Sequence, residues 1–205
     1  MPLKNPTFYK NLRNIALLTL LCSPFTAMAA TANNDFSGWN WSGEIGTLNI
    51  DSTVAYEQYI DDSATLFGFA AERYTNNSDF TLTLGLDFIS YDDNNSFVQN
   101  TTDGYKSSDA SAMLIFAEFG PKVRFGADNM NYFIAHGGVS KVFSSERSVA
   151  FCSDCDSQNI DVDGGFYGIL GVGHSFNSFD LDLQFQQYFT GDFDDSLRLK
   201  LSFSF

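Results

Sequence analysis

Apolar and polar residues alternate along much of the chain with a period of two. Over residues 80–88, Phe and Leu occupy the even positions, and Thr, Gly and Asp occupy the odd ones. The same alternation returns over 179–189 and over 197–205. A period of two is typical of strands with one apolar face. No segment after residue 29 shows a comparable period of 3.6, so the sequence predicts an all-β protein.

The alternating segments give eight predicted strands, each long enough to cross a bilayer when tilted. These are 39–50, 63–74, 79–91, 110–126, 131–143, 164–175, 179–189 and 196–205. Long connections (51–62, 92–109, 144–163) alternate with short ones (75–78, 127–130, 176–178), and the last loop, 190–195, is brief. The predicted fold class is therefore an eight-stranded antiparallel transmembrane β-barrel.

Gly120-Pro121 interrupts the fourth segment and allows an alternative division. Proline cannot donate to a strand ladder, so a break here would give nine strands. Nine strands would spoil the alternation of long and short connections, so we predict one strand over 110–126.

The N-terminus has the pattern of a secretory signal peptide over residues 1–29. Lys4, Lys10 and Arg13 precede the apolar run 15–22, and Ala27-Met28-Ala29 fits the small-x-small cleavage rule. The predicted domains are a signal peptide, 1–29, and an outer-membrane β-barrel, 30–205.

Acidic residues dominate the chain, with 25 Asp and Glu against 11 Lys and Arg. This balance excludes a nucleic-acid-binding protein of the basic kind, which has to neutralise phosphates. The loops 51–62, 92–109, 144–163 and 190–195 contain 16 of the 25 carboxylates. A solvated surface is the favoured interpretation; divalent-cation binding is the alternative, because Asp161, Asp163 and Gly164 form a fragment of a calcium loop.

The polar face of the strands contains charges of both signs. The predicted barrel-interior charges are Glu44, Glu72, Asp87, Glu118, Lys122, Arg124, Arg198 and Lys200. An eight-stranded barrel is just wide enough to be filled by side chains. Charges buried there have to be paired, so we expect a network of ion pairs in the interior.

Two further groups of residues have predicted roles. Cys152 and Cys155 lie in the longest loop, and export to an oxidising compartment favours a disulfide between them over metal binding or redox chemistry. Four aromatic residues near the predicted strand ends are expected in a membrane-interface girdle. They are Trp39, Trp41, Tyr74 and Tyr132.

The signal peptide, the eight alternating segments and the last strand together resemble small eight-stranded outer-membrane barrels of Gram-negative bacteria. The layout is similar to the OmpA transmembrane domain, opacity-like proteins and OmpW. Leu201, Phe203 and Phe205 look like the terminal signal that the β-barrel assembly machinery reads in that class. The resemblance implies a monomer in contact with outer-membrane lipid and lipopolysaccharide. We expect no peptidoglycan-binding domain after the barrel, unlike in full-length OmpA.

The predicted function is a structural or surface-interaction role in the outer membrane, without catalysis or a cofactor. The alternatives are a narrow channel for small solutes and an enzyme that modifies lipid A. A lipid A deacylase pattern needs a His and a Ser two residues apart on one strand. His174 and Ser175 are adjacent, and His136 and Ser140 are about 13 Å apart along a strand, so neither pair fits.

Overall fold

The computed structural model describes residues 38–75, 79–101, 104–149, 152 and 155–204. The predicted signal peptide, 1–29, and Phe205 of the predicted assembly signal lie outside the described residues.

Eight long strands close into one antiparallel barrel. In chain order the elements are β1 (Trp39–Ile50), α1 (Ser52–Gln58), β2 (Ile60–Tyr74), β3 (Phe80–Asp93), β4 (Val98–Thr101), β5 (Gly104–Ser107), β6 (Asp109–Phe125), β7 (Asn131–Ser148), β8 (Ser157–Asn159), β9 (Phe166–Ser175), β10 (Asp180–Tyr188) and β11 (Phe193–Ser204). The order around the barrel is β1, β2, β3, β6, β7, β9, β10, β11, and β11 pairs with β1 to close it. The predicted fold class is confirmed.

Strand β6 runs unbroken through Gly120-Pro121, as predicted. Pro121 pairs with Phe80 of β3, and the register shift in β6 lies instead at Met113 and Leu114. Strand β7 is five residues longer than predicted and ends at Ser148, because its last residues pair with both β6 and β8. Sequence alternation cannot detect this extension, since the residues beyond 143 are mostly polar.

The barrel has two unlike ends, which we call the turn end and the loop end. The turn end contains the short connections β2–β3, β6–β7 and β9–β10. The loop end contains α1, the hairpin β4–β5, β8 and the β10–β11 connection. Among the described residues, no helix is long and apolar enough to span a membrane.

The outer surface of the barrel is a broad apolar band. Its exposed Leu and Phe side chains come from β3, β6, β7, β9, β10 and β11, including Leu84, Phe119, Phe133, Leu170, Leu183 and Leu199. Burying these side chains is worth roughly 1.5–3 kcal/mol each. The band therefore requires an apolar surrounding.

The interior is divided along the barrel axis into an apolar part and a charged part. Toward the loop end it is filled by Leu48, Leu66, Ile89 and Leu114, all at most 1 % exposed. Loop residues Ile160 and Val162 join this cluster. Toward the turn end the inward positions are charged. This apolar plug differs from the sequence prediction, which described the interior only by its charges.

Glycines opposite three inward aromatic rings make room for them. Gly85 pairs with Phe116, Gly138 with Tyr167, and Gly173 with Tyr132. A Cβ atom added at any of these glycines would lie within 2.5 Å of the opposite ring. The rings therefore lie flat over glycine backbone and fill the narrow interior, a device also used in designed sheets.

Candidate functional site

The charged layer of the interior contains two ion-pair clusters, of which the first is centred on Arg198. Its Nη1 atom donates to Glu44 Oε1 at 2.9 Å, and its Nη2 atom lies 3.2 Å from Asp87 Oδ2. The Asp87 contact is an ion pair by distance, although it is poorly aligned for a hydrogen bond. The guanidinium also lies 5.6 Å from the centre of the Phe116 ring.

The second cluster is centred on Glu72, which lies between two lysines. Lys122 Nζ donates to Glu72 Oε1 at 2.8 Å, and Lys200 Nζ donates to Glu72 Oε2 at 3.4 Å. Lys122 also reaches Asp180 at 3.4 Å, and its ammonium group lies 4.4 Å from the centre of the Tyr132 ring. Both carboxylate oxygens of Glu72 are thus satisfied by buried cations.

A third group joins Glu118, His136 and Thr81 in a chain that resembles a nucleophile, a base and a carboxylate. Thr81 Oγ1 and His136 Nε2 are 2.9 Å apart, and His136 Nδ1 lies 3.9 Å from Glu118 Oε2. Tyr167 donates to Glu118 Oε1 at 3.1 Å. Thr81 is fully buried and His136 is 5 % exposed, so a substrate cannot reach these three side chains in the structure.

Seven of the eight predicted interior charges point into the barrel and are between 0 % and 7 % exposed. These are Glu44, Glu72, Asp87, Glu118, Lys122, Arg198 and Lys200. Arg124 departs from the prediction. By parity, that is, by its place in the alternation along β6, Arg124 belongs to the inward-facing positions. It lies next to the end of β6 at the turn end, however, where its side chain is exposed and donates to Ser175 Oγ at 2.8 Å.

Two of the four predicted girdle aromatics belong to the interior instead. Tyr132 is fully buried and donates to Asp182 Oδ2 at 3.0 Å. The Tyr74 ring centre lies 5.9 Å from Lys122 Nζ. Parity, rather than nearness to a strand end, decides the direction of these rings. Trp41, on the opposite parity of β1, is 36 % exposed on the outer surface.

The neutral partners of the charged layer were not predicted from the sequence. Tyr167 and Thr81 reach Glu118 and His136 from other strands, and Gln184 Nε2 donates to Asp182 Oδ1 at 2.7 Å. Thr81 and His136 are on β3 and β7, with β6 between them. Periodicity predicts that both point inward but cannot show that they meet over the intervening strand β6.

At the loop end, Arg147 joins four separate elements. Its side chain is buried, and its Nε atom lies 2.7 and 2.8 Å from the two carboxylate oxygens of Asp93, at the end of β3. Its Nη2 atom donates to the carbonyls of Gln58 and Tyr59 after α1, and Nη1 donates to Gln158 Oε1 of β8. Arg147 thus joins the loops together, a role that was not predicted from the sequence.

The helix α1 begins at an acidic cap. The Asp51 carboxylate accepts from the backbone N–H groups of Thr53 and Val54, at 2.8 and 3.2 Å, as expected for an N-cap. These two bonds hold the pKa of Asp51 below its usual range. Because the pKa is lowered, the cap stabilises α1 at pH values above the ordinary titration range of Asp. This stabilisation is lost as the pH falls through the lowered pKa.

The long loop between β7 and β9 is fixed to the hairpin. The predicted disulfide between Cys152 and Cys155 is confirmed, with a Cα–Cα distance of 5.5 Å. Gln99 of β4 and Asp156 bond reciprocally: Gln99 Nε2 donates to Asp156 Oδ2 at 2.7 Å, and Asp156 N donates to Gln99 Oε1 at 3.0 Å. We call α1, β4–β5, β8 and this disulfide loop the platform.

Several carboxylates of the acidic loops accept hydrogen bonds from side chains at the loop end of the barrel. Asp61 accepts from Asn94 Nδ2 at 2.7 Å, and Asp195 accepts from Asn49 Nδ2 at 2.8 Å. Asp163 pairs with Lys141 at 2.6 Å. Within the described ranges, no group of three His, Cys, Asp or Glu side chains is placed to hold a metal ion. The carboxylates thus help to order the loops.

We expect the variant Arg147→Met to loosen the platform while the barrel stays folded. The change leaves Asp93 without its buried partner, which favours local opening by well over tenfold. Chymotrypsin cleavage after Tyr56 and Tyr59, both exposed, should accelerate by at least tenfold. Lys141→Met, which removes only an exposed ion pair, is the control; equal cleavage of the two variants would contradict the role given to Arg147.

Two of the three residues in the predicted assembly signal are described. Phe203 pairs with Trp41 across the closing seam and is 38 % exposed on the outer surface, and Leu201 pairs with Gly43. Both belong to the outward parity of β11.

Comparison with solved structures gives alignments that cover most of the chain. The chain aligns with Neisserial surface protein A (NspA) at 13% identity and a TM-score of 0.48, covering 82% of this chain and 98% of that one. It aligns with the N-terminal β-barrel domain of Pseudomonas aeruginosa OprF at 11% identity and a TM-score of 0.37, with the same coverage. No family model matches the sequence, and no curated protein matches it.

Proposed function

We propose that this protein is an integral outer-membrane barrel with a closed interior, which presents the platform at the cell surface and performs no catalysis. One observation supports the closed interior most directly. Seven charged side chains toward the turn end and an apolar cluster toward the loop end are all buried inside the same barrel. The role that follows is structural or interactive rather than transport.

The outer surface supports the membrane placement. Exposed Leu, Ile, Val and Phe side chains cover the strands, while seven charged side chains of the strands are buried inside the barrel. A protein dissolved in water would bury the first set and expose the second. We propose that the band contacts outer-membrane lipid and lipopolysaccharide, that Leu201, Phe203 and Phe205 are read by the β-barrel assembly machinery, and that the barrel is a monomer.

The alternatives both require access to the interior. A channel for small solutes needs a wet path past Arg198 and Lys122, and each of these side chains is 1 % exposed. A lipid A-modifying enzyme needs a reactive side chain that lipid can reach, and Thr81 beside His136 is fully buried. The structure therefore favours the closed, non-catalytic barrel.

Thiol labelling in cells tests the proposed placement. Tyr105→Cys puts a thiol on the platform, where Tyr105 is 80 % exposed, and Ala127→Cys puts one in the exposed β6–β7 turn. We expect a membrane-impermeant maleimide to label the first variant in intact cells and the second only after the outer membrane is permeabilised. The parent chain is the control for background labelling. Labelling of Ala127→Cys in intact cells, or of neither variant, would contradict the proposal.

A further inference from the structure

An open groove of about 370 Å³ lies at the turn end of the barrel. It is lined by Met130 of the β6–β7 turn and by residues 174–179 of β9 and the following turn. The two turns are neighbours because β7 pairs with β9, and Ser175 N donates to Met130 O at 2.7 Å. The groove is therefore formed by ordered, hydrogen-bonded backbone.

One wall of the groove is a row of aromatic rings. The ring centres of His174 and Phe176 are 4.7 Å apart, and those of Phe176 and Phe179 are 4.6 Å apart. Phe176 is 46 % exposed, so the row offers apolar surface to a ligand rather than to the barrel interior. Aromatic rings at the end of a membrane strand lie at the level of the lipid headgroups.

A guanidinium group outside the groove contacts one of its lining residues, Ser175. Arg124 Nη1 donates to Ser175 Oγ at 2.8 Å and to Asn129 O at 3.2 Å, and the group lies 5.8 Å from the Tyr132 ring centre. All three partners are neutral. None of the ion pairs within 4.0 Å found among the described residues includes Arg124.

We propose that this groove binds the headgroup of a glycerophospholipid of the adjacent leaflet. Arg124 would donate to the phosphate, since guanidinium groups match phosphate oxygens in charge and geometry. Phe176 and Phe179 would pack against the glycerol and the first acyl carbons. The inference rests on the proposed membrane placement and goes beyond it by naming a ligand.

Native mass spectrometry of the refolded mature protein tests the site with dioleoylphosphatidylglycerol. We expect the protein to retain one lipid molecule tightly. For Arg124→Gln the dissociation constant should be about tenfold higher than for the unchanged protein, because one charge-assisted contact is lost. Arg73→Gln is the matched control, because Arg73 is an exposed cation near the same end of the barrel, on β2. It should change the constant less than twofold. Dioleoylglycerol, which lacks the phosphate, should be retained at least tenfold more weakly.

Three outcomes would overturn the proposal. The first is the absence of a retained lipid, and the second is equal weakening by Arg124→Gln and Arg73→Gln. The third is displacement of the lipid by inorganic phosphate at matching concentrations, which would make the groove a site for free anions. An unboiled-gel mobility shift confirms folding of each variant, and thiol labelling tests membrane placement separately, so failure of this site is distinguishable from failure of the proposed function.

Discussion

Replacing Arg198 with methionine is expected to lower the free energy of unfolding by about 3–5 kcal/mol. The methionine fills much of the volume of the arginine but leaves Glu44 and Asp87 buried without their cation. Arg198 Nη1 is 2.9 Å from Glu44, and both carboxylates have side chains at most 3 % exposed. A buried charge that loses its partner keeps the full cost of leaving water. Urea titration of the protein in lipid vesicles, followed by Trp fluorescence, measures the effect.

Two further variants separate pairing from general disturbance. Lys141→Met removes an ion pair whose side chains are 66% and 49% exposed, so we expect a loss below about 1 kcal/mol. The triple variant Arg198→Met, Glu44→Gln, Asp87→Asn removes all three charges and should recover much of the stability lost in Arg198→Met. If Arg198→Met is no less stable than Lys141→Met, the charged layer does not hold the barrel together.

Gly138→Ala is expected to destabilise the barrel by about 1–3 kcal/mol, whereas Gly137→Ala is expected to be neutral or slightly stabilising. The two glycines are adjacent on β7 and face opposite sides of its wall. A Cβ atom at Gly138 would lie 2.4 Å from the Tyr167 ring, and one at Gly137 would have no atom within 4 Å. Displacing Tyr167 would also break its hydrogen bond to Glu118.

The same urea titration compares these two variants, which carry the same Gly→Ala change at neighbouring positions. Gly137→Ala is the internal control, because it adds the same methyl group on the outer surface. Equal effects of the two changes, or a larger effect of Gly137→Ala, would mean that the assigned inward and outward faces of β7 are wrong.

The barrel could be predicted from the sequence because strand alternation is a local property. Each run of alternating residues specifies which side chains share a face, and the connection lengths specify which strands are neighbours. Seven of the predicted interior charges, from Glu44 on β1 to Lys200 on β11, follow from parity alone. Arg124 obeys the same parity but is exposed, since parity does not specify where along the axis the closed interior ends.

Contacts across the barrel could not be predicted, because they depend on register around the whole sheet. The meeting of His136 with Thr81 joins strands that are not neighbours, and the burial of Tyr132 depends on the glycine opposite it. Arg147 lies in a polar stretch with no period, so its contact with Asp93 left no signal in the sequence. The apolar plug is a different case, because Leu48 and Leu114 share the parity of the inward charges on their strands. Alternation therefore contained the signal for the plug, although its composition is that of a lipid-facing band.

Single-channel recording of the refolded mature protein in a planar bilayer tests the closed interior most directly. An unboiled-gel mobility shift of the same preparation shows that the protein is folded before it is added to the bilayer. We predict no conductance steps, because the described side chains of the charged layer and of the apolar plug are buried inside the barrel. Steady, reproducible openings from folded protein would contradict the closed barrel and favour a channel for small solutes.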